Sequence, residues 1–291
     1  EARSVGFAGD VPGLAEAGEM SGILTRGDSL IDAGVGEGLI EGVAVVNAVT
    51  DSGRIAGINN DSSLIKLGSG EDGLFGEALA AGATSASGVF SLQGEIDAGA
   101  GEDFVFGLGE SQGGQQVSGV ALVSSRLRLG SGEDAIQGFA SGGLINAGVF
   151  VDQNSVINAG IGEDSLLGWG FSTEDNSAIR NFGLIKMGRG SDLVDASFGG
   201  FSGDGLTNLG AGDDQLLGFG TGFFNGGRGF DTLQLGEGEY LFDSAAGTLV
   251  SAGITMNLAN IEQVGGFADT QFLLLQDGTY IVNAENQIQF V

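Results

Sequence analysis

Cysteine and histidine are absent from the chain, and proline occurs once, at Pro12. Without cysteine there is neither a disulfide nor a thiolate metal site; without histidine the commonest zinc ligand and the commonest general base are missing. Basic residues are scarce as well: 10 Lys and Arg stand against 38 Asp and Glu, a formal charge of -28 that repels nucleic acid and anionic lipid. No apolar run approaches the roughly 20 residues of a membrane-spanning helix, so no membrane-spanning segment is expected. No signal-peptide pattern opens the chain, and a start at Glu rather than Met is the expectation for a chain that has already lost its beginning. What remains for binding is an anionic, oxygen-only set of side chains, which suits a hard cation and points to calcium.

What the sequence has in excess is glycine, 58 of 291 residues. No three-residue period exists, which excludes collagen, and the many Val, Ile, Leu and Phe argue against plain disorder. The glycines mark turns, and they belong to one phrase, clearest as Gly99-Ala100-Gly101-Glu102-Asp103. The phrase recurs at 68–72, 130–134, 160–164 and 210–214, with looser copies at 188–192 and 227–231 and a copy without its aspartate at 34–38. Its first glycines are spaced 34, 31, 31, 30, 28, 22 and 17 residues apart. A near-constant period of this size marks a solenoid, and its steady shortening predicts coils that narrow toward the C-terminus.

Three short apolar segments recur in each coil. One precedes the phrase with alternating polarity, as in Leu64-Ile65-Lys66-Leu67 and Glu95-Ile96-Asp97-Ala98; one follows it, with Leu74, Val105, Ile136, Leu166 and Leu216 each two residues past the aspartate; one opens as Gly88-Val89-Phe90. Period-two alternation reads as strand, and three strands per turn is the plan of a parallel β-helix. The expected fold is therefore all-β, a right-handed parallel β-solenoid of about 30-residue coils with caps at both ends. The expected divisions are an N-terminal cap or lead-in over 1–22, the solenoid over 23–231 and a C-terminal β cap or assembly region over 232–291. Within the last, Asp277-Gly278 between two apolar runs predicts a hairpin, and residues 287–291 read as a strand, free to pair with another subunit. The polar residue two places before the phrase begins Asp32, Lys66, Asp97, Arg128, an alternation in sign that supports this register.

The phrase has its own chemistry. Glycines at 68, 70, 99, 101, 130, 132, 160, 162, 210 and 212 (Gly68, Gly70, Gly99, Gly101, Gly130, Gly132, Gly160, Gly162, Gly210 and Gly212) permit positive φ and turn carbonyls toward a common centre, and the aspartate adds a charged oxygen. Stacked coils would bring Asp72, Asp103, Asp134, Asp164, Asp192, Asp214 and Asp231 into one file at about 4.8 Å, where neighbouring charges repel by roughly 3.5 kcal/mol at an effective dielectric of 20. Cations between them would relieve that strain and couple binding to folding. At these residues the chain resembles the repeats-in-toxin family, whose nonapeptide Gly-Gly-x-Gly-x-Asp-x-(apolar)-x forms a calcium-loaded parallel β-roll. The resemblance implies several calcium ions, the seven aspartates as ligands, the glycines as loop formers, and Val105 and its equivalents in the core. Residues 226–233 match the pattern in full; elsewhere the first glycine is usually Ala or Leu and the phrase comes once per coil, so ions are expected along one edge only.

For Glu71, Glu102, Glu133, Glu163 and Asp213 a solvated face is the expectation, and for Trp169 and the 19 phenylalanines core stacking or cap packing. The functional expectation is a secreted, extracellular or cell-surface structural protein rather than an enzyme: a calcium-rigidified layer, sheath, matrix or filament subunit, or an adhesin stalk. Such a chain is expected to form a homo-oligomer or polymer. The alternatives are a polysaccharide lyase or epimerase, for which Arg126, Arg128, Tyr240 and Tyr280 are the few suitable residues, and an ice- or polysaccharide-binding module.

Overall fold

The computed structural model describes residues 2–9, 20–46, 53–81, 85–172 and 174–291, with backbone alone for 2–9 and 46. Of the expected N-terminal lead-in, residues 1 and 10–19, Pro12 among them, lie outside the described residues. Every described element is a strand or turn, and the strands stack into a β-solenoid of about 8 turns with coils of about 31 residues. Sheet I collects the strands that precede each phrase and has 13 members, sheet II those that follow it and has 11, and sheet III, with 7, closes the coil.

The register is the one the phrase spacing predicts. Gly68, Gly99, Gly130, Gly160, Gly188, Gly210 and Gly227 lie side by side on successive parallel strands. Parallel stacking repeats one environment at each position, so inward columns keep one residue type: Ile65, Ile96, Leu127, Ile157 and Ile185 in sheet I, Leu74, Val105, Ile136 and Leu166 in sheet II, Val89, Val120, Val149 and Ile179 in sheet III. All are buried to within 1 % of completely, and each contributes roughly 1.5–3 kcal/mol of transfer free energy. The outward polar column of sheet I pairs Asp32 with Lys66, Lys66 with Asp97 and Asp97 with Arg128 in register. The ion pair that Arg128 forms is diagonal, to Glu95 at 2.6 Å.

Sheets II and III approach very closely where each apolar segment of sheet II ends in glycine. A Cβ on Gly76 would lie 2.1 Å from the carbonyl oxygen of Gly88, and one on Gly107 2.1 Å from that of Gly119. The slot has no room for an aromatic ring, which corrects the expectation for the aromatic residues of sheet II. Phe201 and Phe224 do reach the core, but Phe75, Phe104, Phe106, Phe139 and Trp169 stand half-buried on the outer face of sheet II, flanked by core positions.

The coils narrow because they lose a side. Sheet III shrinks to the two-residue strand Phe201–Ser202 in the coil spaced by 22 residues, and the following coil, spaced by 17, has no sheet III strand and folds back after sheet II. Residues 2–9, read from sequence as lead-in, form the strand Ala2–Gly9 parallel to Gly38–Val46 in sheet II. At the other end parallel stacking continues beyond the last phrase through Thr232–Leu235 to Gln263–Gly266. Antiparallel strands then finish sheet I: Thr248–Ser251, Gly238–Asp243, Gly278–Val282 and Ile288–Phe290.

The hairpin expected at Asp277-Gly278 is not formed. Leu273–Leu274 pairs with Gln263–Gly266 in sheet II, while Gly278–Val282 crosses to sheet I. Fully buried Tyr280 fixes the crossing, its hydroxyl accepting from Gln276 N–H at 2.7 Å and donating to Gln276 O at 2.9 Å. The last strand, Ile288–Phe290, pairs within the chain, on Gly278–Val282.

Candidate functional site

The corner between sheets I and II is built from the phrase. Its two glycines hold φ of +109° at Gly99 and +131° at Gly101, a region that side-chain-bearing residues rarely enter. Stacking adds a second demand: a Cβ on Gly101 would lie 1.7 Å from the carbonyl oxygen of Gly70 in the coil beneath. The second glycine also donates its N–H to the next coil, Gly101 to Ser131 O at 2.8 Å and Gly70 to Ala100 O at 2.8 Å. The corner is thus a ladder of backbone before any side chain is considered.

The seven aspartates form a second ladder inside the first. Asp103 Oδ1 accepts the N–H of Asp72 at 3.0 Å, Asp134 that of Asp103 at 2.8 Å, Asp164 that of Asp134 at 3.0 Å, and so on through Asp192, Asp214 and Asp231. Both ends were hidden from the sequence reading. The ladder opens at Gly38, the position where the phrase at 34–38 loses its aspartate, whose N–H donates to Asp72 Oδ1 at 2.5 Å. It closes at Glu262, whose Oε2 accepts the N–H of Asp231 at 2.9 Å. The sequence did carry a signal for this inward orientation: Asp103 and Val105 are two residues apart on one strand edge, so they share a side.

Every one of the seven is at most 3 % exposed, and in every one Oδ2 is buried with no hydrogen-bond partner. Burial pushes their carboxyls up, against the lowering effect of the backbone N–H each accepts, and neighbouring carboxylates add to the rise at several of them. Asp103, Asp164 and Asp214 rise to about 6, Asp134 and Asp192 to about 7, and Asp72 and Asp231 also rise. Seven orphaned carboxylate oxygens beside a column of glycine loops make a hard, anionic donor set, and that set fits a hard divalent cation. At the last copy, the one matching the nonapeptide in full, a Cβ on Gly226 would lie 2.4 Å from Asp231 Oδ2. In the other six copies that place holds Leu67, Ala98, Leu129, Ala159, Met187 or Leu209, each buried to 0–1 %.

The neighbouring acids behave otherwise. Glu71, Glu102, Glu133, Glu163 and Asp213 are exposed, as expected. The first four line a shallow groove of about 1060 Å³ along the corner that ends at Arg189. Asp213 uses Oδ1 to accept the N–H of Phe230 at 2.8 Å. Tyr240 and Tyr280, the candidate tyrosines of an enzyme, are 5 % and 0 % exposed in the C-terminal cap. Compared with known protein families, curated proteins and solved structures, the chain has no match.

Proposed function

We propose that this chain is a calcium-binding β-solenoid of divergent repeats-in-toxin type, with a structural role outside the cell or at its surface. The observation that carries the reading is the file of seven buried carboxylate oxygens without partners along one corner. Buried charge without a partner is costly, and a cation held by the folded chain alone turns that cost into stabilisation that depends on its concentration. Asp72, Asp103, Asp134, Asp164, Asp192, Asp214 and Asp231 would hold the ions, together with carbonyl groups of the glycine loops. Calcium would supply positive charge there and no bond-making chemistry. The enzyme alternative draws less support, since both tyrosines are buried and Arg128 is engaged with Glu95.

The test is calorimetric melting with about 5–10 mM calcium, roughly 50 to 100 times a typical extracellular-module dissociation constant at its tight end, against excess EGTA. The expected result is a melting temperature raised by calcium, with circular dichroism of a β fold retained. A melting temperature indifferent to chelation at pH 7.5 overturns the calcium reading.

A further inference from the structure

We propose that copies of this chain associate side by side, the outer face of sheet II on one copy packing against the outer face of sheet I on the next. The inference rests on the structural half of the proposed function and not on calcium. Sheet II turns a nearly continuous aromatic ladder outward. Phe75, Phe104, Phe106, Phe139 and Trp169 contact one another in sequence, with ring centroids 4.2–6.2 Å apart, and Phe139 and Trp169 lie parallel within 4°. Phe139 and Trp169 cover each other's faces; the other neighbouring pairs are inclined by 29–58°.

Charge disfavours packing of sheet II on itself. The sheet II strands Gly38–Val46, Gly73–Ala80, Phe104–Ser111, Ala135–Ser141, Ser165–Phe171 and Leu193–Phe198 contain no Lys or Arg. Their outward positions include Glu77, Glu110 and Asp195. A sheet II face packed on its own copy through these strands would oppose acid to acid, with no base among them. The complement lies on the other side of the corner: sheet I points Lys66, Arg126, Arg128 and Lys186 outward. On the rungs flanking these bases it exposes Leu30, Leu206 and Phe223 at 58 %, 40 % and 51 %. One face is aromatic and acidic; the other sets four bases among three acids, Asp32, Glu95 and Asp97, and both run along the solenoid with the same rung spacing. Five full rungs at about 4.8 Å, seven residues wide at about 3.3 Å each, offer roughly 550 Å² in projection. That is below the roughly 800 Å² per partner of a standard interface and in the range of a weak, reversible one. Because the two surfaces differ, the contact is heterologous, and it propagates into a ring or an open ribbon instead of stopping at a dimer.

The experiment uses two charge-reversed full-length chains, Glu77→Lys/Glu110→Lys on sheet II and Arg126→Glu/Lys186→Glu on sheet I. Circular dichroism establishes that both are folded; the neutral pairs Glu77→Gln/Glu110→Gln and Arg126→Gln/Lys186→Gln replace any that are not. Sedimentation velocity and negative-stain microscopy, at about 0.15 M salt to screen the net charge, read assembly. The expected result is association of the unaltered chain, a loss of roughly tenfold or more in each reversed chain alone, and recovery when the two reversed chains are mixed, because each then meets its complement. An unaltered chain that stays monomeric at about 1 mM overturns the inference. So does assembly that ignores either reversal, which leaves the structural role intact and moves the contact to the ends of the solenoid. Assembly that persists under EGTA while calcium leaves melting unchanged overturns the calcium reading alone.

Discussion

Glu102 and Asp103 are consecutive residues, and the chain treats them in opposite ways. Glu102 stands in solvent on the wall of a shallow groove, with its equivalents above and below it. Asp103 is 2 % exposed, accepts a backbone N–H from the coil before, and keeps its second oxygen buried without a partner. The difference is parity: on a strand edge one residue faces out and the next faces in. A column of exposed glutamates repels itself weakly through water, whereas a column of buried aspartates interacts through a poorer dielectric and resists ionisation. The comparison teaches that an acidic pair in a repeat is two separate features.

The largest effect that would test this contrast is pH dependence in the absence of divalent cation. Burial holds the folded-state carboxyls of Asp103, Asp134, Asp164, Asp192 and Asp214 at about 6 to 7, against 3.8 for a free aspartate. The folded chain therefore holds more protons than the unfolded chain between about pH 4 and pH 7. In EGTA, stability is fully present below about pH 4 and is lost as the pH climbs through 6 and 7, by several kcal/mol over the whole file. Chemical denaturation at pH 4, 5, 6, 7 and 8 checks it; stability that is flat or rises over this range means the file is not buried as described. With calcium the trend reverses in sense, since ligands must be deprotonated and affinity climbs with pH.

Next in size is the backbone that both columns stand on. Gly132→Ala places a Cβ at φ +139°, 1.8 Å from Gly101 O. Strain and clash together are expected to cost about 3 kcal/mol or more. Gly113→Ala, at φ +86° with open space around it, should cost about 1 kcal/mol. Equal losses in urea melts would mean that the stacked glycines are ordinary turn residues.

Smaller, and of opposite sign under two conditions, is Asp134→Asn. The amide oxygen retains the bond from Asp103 N–H while the titrating charge is removed. In EGTA at pH 8 the variant should be more stable than the parent by about 1–2 kcal/mol, and in calcium its ion-dependent gain should shrink. Glu133→Gln, one residue away, should change stability by no more than about 0.5 kcal/mol in either condition. A Glu133 effect as large as that of Asp134 would erase the distinction between the two columns.

Much of this was legible before any coordinates. The spacing of the glycines gives the register of seven parallel rungs, and the residues two past each aspartate are core residues, as alternation requires. The shortening period predicts narrowing but not its form, a sheet III that shrinks to Phe201–Ser202 and is then absent from the 17-residue coil. The C-terminal turn at Asp277-Gly278 misled because local turn chemistry favours a hairpin, whereas the buried Tyr280 ties the following strand to a different sheet. The aromatic residues misled for a related reason. Phe104 and Phe106 have the parity of outward positions, but ring size and apolarity argue for the core until the slot between sheets II and III is known to admit only glycine.

The sequence by itself determined the repeat, its register and the identity of the seven aspartates, because a parallel stack presents the same environment at the same place in every coil and so writes itself as periodicity. Only the tertiary structure decided which oxygen of each aspartate is bonded and which is orphaned, where the ladder begins at Gly38 and ends at Glu262, and that the aromatic ladder faces outward beside an acidic rim. Those facts depend on distances between chain segments 17 to 34 residues apart, and no pattern within one coil encodes them.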